Sequence, residues 1–272
     1  MRRRCTRRKA PKHELLKRAA SFAANDNNTC GNGEQLRMNV AIILAGGVGS
    51  RVGGDVPKQF VDLAGEMMIV HSLEPFGNLP IVQNIIIVAD DKWREDIENA
   101  IVDYPAISEK ILGYADPGQN RQLSILSGLE AIELLGLGDM TDNVIIHDAA
   151  RPFVTEDLIT ACLEALSDHD GAMPVLPMND TVYLSHGGVQ VDELLDRNTI
   201  FAGQAPEAFV YKKYLEANRK LIPDKILVIH GSSEPAVMAG MKVAMIPGDV
   251  RNFKITSAAD MERAEEIFRE KY

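Results

Sequence analysis

The residues best suited to chemistry lie in a glycine-rich segment, residues 44–60, which reads LAGGVGSRVGGDVPKQF. Its five glycines follow a short apolar run, so the backbone can turn sharply there and approach a ligand closely. Successive backbone N–H groups in such a loop form a concavity that binds anions. Arg51 and Lys58 add cationic donors suited to phosphate. The segment therefore predicts a phosphate-binding loop.

Two well-known phosphate-binding loops do not fit this segment. A dinucleotide fingerprint, G-x-G-x-x-G, opens directly into a helix. Here the third glycine comes one residue late, and Pro57 argues against a helix. The P-loop pattern G-x-x-x-x-G-K-[ST] is absent. A long, open loop around a nucleotide triphosphate remains, and the alternative is a surface loop with incidental charges.

A second candidate lies in residues 144–153, VIIHDAARPF. A buried strand that ends in Asp148 places a carboxylate at the carboxyl edge of a parallel sheet, where ligands bind in open α/β folds. Proteins usually hold Mg²⁺ with one or two carboxylates and substrate phosphates, so Asp148 is a candidate metal ligand. We interpret His147 as a packed residue rather than a base. Arg151 is either a structural partner of a nearby carboxylate or a site residue.

Secondary-structure elements must position these candidate residues, and the sequence predicts that strands and helices alternate along the chain. Apolar runs that suit buried strands lie at 39–44, 84–89, 110–112 and 143–146, and helical periods lie at 67–76, 92–102, 121–135 and 156–166. This alternation predicts βαβ units and a mainly parallel sheet with helices on both faces. Two runs, 181–184 and 189–191, flank the turn SHGG and predict a hairpin arm. The chain then continues with a predicted helix at 211–220, strands at 241–246 and 252–255, and a helix at 258–269.

The glycine loop resembles the signature loop of sugar-phosphate nucleotidyltransferases, L-x-A-G-G-x-G-x-R-x-G followed by P-K-Q-F. Leu63, Gly65 and the segment HSLEPF at 71–76 narrow the resemblance to the cytidylyltransferases of 2-C-methylerythritol 4-phosphate and ribitol 5-phosphate. It extends over residues 39–269 and implies a three-layer, Rossmann-like nucleotidyltransferase α/β sheet with a projecting β-arm at about 179–200.

The resemblance implies roles for residues of both loops. Arg51 and Lys58 match catalytic residues that stabilise the triphosphate and the pentacovalent transition state. Residues 116–129, DPGQNRQLSILSGL, are similar to a segment that contacts cytosine and ribose, with Pro117 in place of its first glycine. The implied nucleotide-binding residues are Ala45, Gly46, Gly47, Gly49, Gly118, Arg121, Ser124, Asp148 and Ala149. By residue type alone, Arg121 and Ser124 fit the first turn of a helix equally well.

The same resemblance implies an acceptor side. The segments NDT at 179–181 and DRN at 196–198 resemble the start and return of the family's arm, which crosses a dimer interface. Thr181 and Arg197 are thus implied to bind the acceptor, with Arg197 acting in the partner's site of a homodimer, although a lone loop arginine is ordinarily solvated. Lys254, within NFKIT, matches a lysine that reaches the acceptor and phosphates, and it is the third implied catalytic residue.

Two departures from the family pattern fall on the acceptor side. Ala205 and Glu207 stand where relatives show threonine and a neutral amide. Residues 229–239, IHGSSEPAVMA, occupy the place of an acidic T-D-[DE]-A motif. The candidate substitutes there are Glu234, Ser232 and Ser233.

Charge and composition narrow the function class. The 272 residues carry a formal charge of −10, of which residues 1–37 contribute +7 and the remainder −17. A body this acidic should repel nucleic acid. The composition is that of a globular protein, with apolar runs far shorter than the roughly 18 residues of a membrane span. Three widely spaced cysteines make a disulfide framework or cysteine-based zinc site implausible, and we expect a reducing, cytoplasmic location.

Residues 1–37 are expected to be a disordered basic leader to a cytidylyltransferase domain at 38–272. An organelle transit peptide and a nucleic-acid-binding arm are the alternatives for this leader.

The favoured prediction is a Mg²⁺-dependent cytidylyltransferase. It would form a CDP-alcohol and pyrophosphate from CTP and a polyol or sugar phosphate, for isoprenoid or cell-wall polyol phosphate synthesis. The A-G-G and P-K-Q-F segments tilt slightly towards the ribitol phosphate branch. The alternatives are a CTP-binding regulatory or scaffold protein without transfer activity, and a protein whose leader binds nucleic acid.

Overall fold

The structure, a computed structural model, describes residues 37–47 and 56–271. Its strands are β1 (Met38–Leu44), β2 (Asp62–Leu63), β3 (Glu66–Met67), β4 (Asn84–Val88), β5 (Ile111–Ala115), β6 (Thr141–Asp148), β7 (Gly171–Pro177), β8 (Val182–Leu184), β9 (Glu193–Leu195), β10 (Phe201–Gly203), β11 (Glu207–Val210) and β12 (Val243–Pro247). Its helices are α1 (Met68–Asn78), α2 (Asp91–Ala100), α3 (Pro105–Ser108), α4 (Arg121–Leu134), α5 (Glu156–Glu164), α6 (Tyr211–Arg219), α7 (Glu234–Met238) and α8 (Ala258–Lys271).

A mixed eight-stranded sheet runs through the molecule in the order β10-β7-β11-β6-β1-β4-β5, and β12 pairs with β7. The strand β1 lies between β4 and β6, parallel to both, so Ile42 faces Ile86 on one side and Ile146 on the other. These central strands are almost continuously apolar because both faces of the sheet are covered. β11 runs antiparallel to β6 and β7, which makes the sheet mixed rather than parallel throughout.

Helices cover both faces of the sheet and confirm the three-layer α/β prediction. On one face α1, α2 and α5 contribute Leu73, Ile97 and Ile159 to a buried cluster. On the other face α4 and α6 contribute Leu129 and Tyr214. Successive residues of β1 alternate between the two clusters, as the two-residue period of a strand requires. Among the described residues, the helices are all too short or too polar to cross a lipid bilayer.

The predicted strand at 252–255 is wrong. This segment lies beside the site without joining a ladder. Its backbone is fixed by scattered partners: Ile255 donates its N–H to the Ala150 carbonyl over 2.9 Å. The Asn252 side chain donates to the Ala205 carbonyl over 2.7 Å. An apolar segment can be buried by such single contacts, which a local sequence pattern does not distinguish from a strand.

The arm is a separate hairpin, but its second strand is not the predicted 189–191. β8 pairs with β9, four residues further along than predicted. The intervening loop is held by its own side chains: Ser185 Oγ donates to the Gln190 carbonyl over 2.6 Å, and the His186 N–H donates to Asp192 Oδ2 over 2.6 Å. These contacts satisfy backbone hydrogen-bonding groups of a loop that is longer than predicted, so the second strand begins later in the chain. The other predicted elements are present with shifted ends.

Candidate functional site

The described start of the glycine loop follows β1 and is clamped by one side chain. The amide nitrogen of Gln59 donates to the carbonyls of Ala45 and Gly47 over 2.7 and 2.8 Å. A Cβ atom on Gly46 would lie 2.3 Å from the Cβ of Pro117, so only glycine lets the two loops approach this closely. The loop after β1 and the loop after β5 therefore form one surface at the carboxyl edge of the sheet.

The end of the glycine loop is joined to the C-terminal segment. Lys58 opens a short 3₁₀ turn, and its Nζ donates to the Ile255 carbonyl over 2.5 Å. This contact brings a predicted catalytic lysine next to the segment that carries Lys254. Gly49 and Arg51, the other predicted residues of this loop, lie outside the described residues.

The second loop is shaped by Ser124. The Gly118 N–H donates to Ser124 Oγ over 3.0 Å, and this hydroxyl donates to the Asn120 carbonyl over 3.0 Å. The Asn120 side chain in turn accepts from the Leu123 N–H over 2.8 Å and caps α4. Ser124 thus holds the turn from which Arg121, the first residue of α4, projects towards the sheet edge.

Asp148 collects three cations from distant parts of the chain. Its Oδ1 accepts from Arg121 Nε over 3.1 Å, and its Oδ2 accepts from Lys254 Nζ over 3.0 Å. Arg151 Nε lies 3.6 Å from the same Oδ2, and its Nη1 donates to the Asn252 carbonyl over 2.7 Å. The structure therefore brings together Arg121, Asp148 and Lys254, and it confirms that Arg151 pairs with a nearby carboxylate.

The cluster keeps Asp148 ionised. Burial alone would raise the pKa of this carboxyl group, but the charges of Arg121, Lys254 and Arg151 hold it far below its usual range. Burial likewise would lower the pKa of Arg121, and the neighbouring carboxylates Asp148 and Glu207 raise it above its ordinary value. An ionised carboxylate surrounded by cations leaves an excess of positive charge, which suits anionic ligands.

His147 is a packed residue, which confirms its interpretation from the sequence. It is fully buried, its Nε2 lies 3.1 Å from the Arg151 carbonyl, and its ring centroid lies 5.2 Å from that of Phe76. Burial lowers its pKa to about 4, so it is neutral at physiological pH. Ala149 is also fully buried, and its N–H donates to the Leu44 carbonyl over 3.1 Å. It fixes the turn after Asp148 through its backbone.

Arg121 has two further partners: Ser232, a candidate substitute for the missing acidic motif, and Glu207, to which the sequence assigned no role. Arg121 Nη1 donates to Ser232 Oγ, and Arg121 Nη2 lies 3.9 Å from Glu207 Oε1. Glu234, another of the three candidate substitutes for the missing acidic motif, instead accepts from the backbone N–H of His230 over 2.9 Å. The available signal was a charged residue, Glu207, inside an otherwise apolar strand.

The predicted acceptor residues lie on the arm. Arg197 Nη1 donates to the Asn179 carbonyl over 2.7 Å, which ties the return of the arm to its start, and Thr181 is exposed. Within the part of the chain that the structure describes, no hydrogen bond or ion pair joins either residue to Asp148. Their role in acceptor binding stays a prediction.

The described residues contain no group of three or more His, Cys, Asp or Glu side chains that could hold a metal. Asp148 nevertheless fits Mg²⁺ as a single protein ligand. A carboxylate offers about four lone-pair sites, and the contacts of Asp148 with Arg121, Lys254 and Arg151 leave room for a further partner. Substrate phosphates would have to supply most other ligands, as is usual for this ion.

A mixed α/β sheet with a glycine loop after its first strand and a cationic cluster at its carboxyl edge defines a nucleotidyltransferase-like fold. The same fold occurs in a crystal structure of 4-diphosphocytidyl-2C-methyl-D-erythritol synthase from Anaerococcus prevotii. The TM-score is 0.73 at 23% identity, with 86% of this chain and 96% of that chain covered. The chain belongs to the 2-C-methyl-D-erythritol 4-phosphate cytidylyltransferase family, whose model matches residues 39–270.

Relatives carry names from both branches of the resemblance. The chain is 34% identical over 232 residues to a 2-C-methyl-D-erythritol 4-phosphate cytidylyltransferase of Cereibacter sphaeroides, covering 84% of this chain and 95% of that protein. It is 30% identical over 224 residues to a ribitol-5-phosphate cytidylyltransferase of Streptococcus agalactiae, covering 82% and 92%. It is 35% identical over 229 residues to a bifunctional enzyme IspD/IspF of Maricaulis maris, covering 83% of this chain but only 56% of that protein. The chain thus spans little more than half the length of its bifunctional relatives.

Proposed function

We propose that this protein transfers a cytidylyl group from CTP to a phosphorylated polyol and releases pyrophosphate. One observation carries the proposal: Arg121, Asp148 and Lys254 come from three distant segments and meet in one ion-paired cluster at the carboxyl edge of the sheet. Family membership, established over residues 39–270, supplies the reaction class.

The reaction joins two anions, and the site offers the charge to do so. A phosphate oxygen of the acceptor attacks the α-phosphorus of CTP, a new P–O bond forms, and the bond to the pyrophosphate leaving group breaks. Catalysis of such a transfer is mainly positioning and neutralisation of charge that develops on phosphate oxygens. Lys58 and Lys254 enter the site from the two ends of the domain, joined through the Ile255 backbone. We assign this neutralising role to them and to Arg51.

The nucleotide side is assigned to the two loops and Asp148. Gly46 lets the two loops approach each other, Gly118 lets its loop pack against Leu123 at the start of α4, and Arg121 is held beside them by Asp148. In this proposal Asp148 would hold Mg²⁺, and the bound ion would supply positive charge that neutralises part of the charge of the triphosphate. Asp148 also holds Lys254, so the residue that would bind the metal orients a catalytic cation as well.

The acceptor side is assigned to the arm of a second protomer. The hairpin β8–β9 is an isolated two-stranded sheet, and such a hairpin is marginally stable unless it packs against something. Its apolar side chains Tyr183 and Leu194 are 57% and 63% exposed in the single chain. We propose that they pack in a homodimer, which would carry Thr181 and Arg197 to the partner's acceptor phosphate.

The acceptor is proposed as a polyol phosphate of the methylerythritol or ribitol type, after the names of the relatives. A pyrophosphate-release assay with CTP and both acceptors tests this, and the mass of the CDP product names the substrate. Turnover with CTP, and much less with ATP, GTP or UTP, is the expected result. A folded protein that binds CTP but transfers it to no phosphorylated polyol would contradict the proposal and favour a regulatory or scaffold role.

A further inference from the structure

Glu207 is a buried carboxylate on the same edge of the sheet as Asp148. As the first residue of β11 it faces Ile146 of β6, two residues before Asp148, and its side chain is 9% exposed. Its Oε1 lies 3.9 Å from Arg121 Nη2, and its Oε2 is buried without a well-formed hydrogen bond among the described residues, while the Ser232 hydroxyl lies close enough to lower the pKa of the carboxyl group. A buried carboxylate costs free energy unless a cation compensates it, so its presence in an apolar strand needs an explanation.

The guanidinium of Arg121 explains the buried carboxylate of Glu207, because each guanidinium nitrogen faces a different partner. Nε donates to Asp148, Nη1 donates to Ser232 Oγ, and Nη2 faces Glu207. Partners at three corners fix both the position and the plane of a guanidinium, whereas Asp148 alone would leave it free to swing about that contact. Glu234 does not contribute, since it caps the His230 backbone instead.

The surroundings of Glu207 leave Arg121 as its nearest compensating charge. Burial and the charge of Glu207 raise the pKa of Cys162 in α5 and of Tyr214 in α6. Asp148, at the end of β6, and Arg151, in the turn that follows, interact electrostatically with Glu207. Burial raises the pKa of Glu207, and Arg121 is the strongest influence in the opposite direction. The carboxylate and the guanidinium therefore stabilise one another's charged forms.

We propose that Glu207 is a positioning residue that holds the Arg121 guanidinium at Nη2, next to the contact of Nε with Asp148, and so presets it for the nucleotide. The inference rests on the proposed function, because it assumes that Arg121 binds CTP. Ser232 supplies a neutral partner at the third corner, and the carboxylate that orients the arginine comes from β11 rather than from residues 229–239.

The test is the isosteric substitution Glu207→Gln, with CTP binding measured by calorimetry and kinetics measured in parallel. We expect the Kd and KM for CTP to rise about tenfold, the size of one charge-assisted contact, while kcat and the acceptor KM change little. Glu234→Gln is the matched control, a glutamate of the neighbouring segment that bonds backbone outside the cluster, and it should bind CTP like the wild type.

A rescue variant distinguishes the loss of Arg121 positioning from a general loss of fold stability. Adding Ser232→Asp to Glu207→Gln returns a carboxylate to another corner of the guanidinium and should restore most of the CTP affinity. An unchanged Kd in Glu207→Gln with a shifted Tm would overturn the proposal, as would a double variant no better than the single one. If Glu207→Gln does not fold, Glu207→Asp, which withdraws the carboxylate by one methylene, must show the same loss. A wild type that does not bind CTP would overturn the proposed function and this inference together.

Discussion

At the scale of the residue, Asp148 shows how one carboxylate can organise a site for anions. Both of its oxygens are engaged by cations, and their charges outweigh a burial that would otherwise favour protonation. The result is a carboxylate that stays ionised while its surroundings remain net positive. Removing it would leave Arg121, Arg151 and Lys254 without their shared partner, and uncompensated buried charge destabilises proteins by roughly 3–5 kcal/mol.

The buried, neutral His147 should make the free energy of unfolding depend on pH. Its pKa falls from 6.5 to about 4 on folding because it is buried as the neutral form. The unfolded chain thus binds the extra proton first, and this contribution to stability, complete above pH 6.5, is lost as the pH falls towards 4. The free energy of unfolding, from denaturant titrations across this window, should fall less steeply in His147→Gln. Equal slopes in the two proteins would contradict the assignment.

At the scale of the element, the site depends on how closely two loops approach. Gly46→Ala would place a Cβ 2.3 Å from the Cβ of Pro117 and push the loops apart. We expect CTP affinity to fall by about tenfold or more, a loss of at least 1.4 kcal/mol. Adding Pro117→Gly removes the clashing atoms and should recover part of the affinity, measured by calorimetry.

Gly47→Ala is the control for this pair, because a Cβ there has no neighbour within 4 Å among the described residues. If Gly46→Ala and Gly47→Ala weakened CTP binding equally, chain flexibility rather than loop contact would explain the glycines. If Pro117→Gly gave no recovery, the two loops would not form a common nucleotide surface.

The sequence predicted the elements whose signal is local. The strands β1, β4 and β6 are apolar runs buried on both faces, and α4 begins at an asparagine cap and buries Leu126, Leu129 and Ile132 at intervals of three residues. β7, β10 and β11 were not predicted, since β7 contains two prolines and β10 and β11 are only 3 and 4 residues long. Their pairing is set by neighbours across the sheet, which a local pattern does not contain.

The same division holds for the site. Asp148 and Lys254 were predicted because each stands in a short motif, but the contact between them spans 106 positions of the chain. The partnership of Arg121 with Ser232 spans 111 positions and has no local signature. Glu207 was recognised as a departure from the family pattern, and only its burial beside Arg121 gives it a role.

At the scale of the whole molecule, the proposed homodimer makes a sharp prediction for Arg197. Arg197→Ala should weaken acceptor binding and leave CTP affinity unchanged. If Arg197 acts in the partner's site, mixing Arg197→Ala with Asp148→Asn should regenerate activity. In each mixed dimer one site then has both intact residues, and an equimolar mixture should reach roughly a quarter of the wild-type rate.

Recovery requires that protomers exchange, so the two variants should be co-expressed with different tags and the mixed dimer purified. At an acceptor concentration well below the KM of Arg197→Ala, both parent dimers should be nearly inactive and the mixed dimer active. An inactive mixed dimer would show that Arg197 serves its own chain or no site at all. A monomer in light scattering would exclude the shared site altogether.

The charge of the whole chain also fits the account. Residues 38–272 carry −17, yet the proposed substrates are both anions. Attraction must then be local, and the described cations around Asp148 provide it where strands β1 and β6 end. In the proposed function, affinity for the substrates therefore comes from a few placed cations rather than from net charge.

The most direct test of cytidylyl transfer at the Asp148 cluster is the CDP product formed from CTP and a phosphorylated polyol, detected by mass spectrometry. The wild type should give a CDP-alcohol and one pyrophosphate per turnover. Asp148→Asn should lower the rate by about 10²–10³, whereas Asp139→Asn, at an exposed ion pair, should not change it. A wild-type rate in Asp148→Asn, or no CDP product from the folded wild type, would contradict the account.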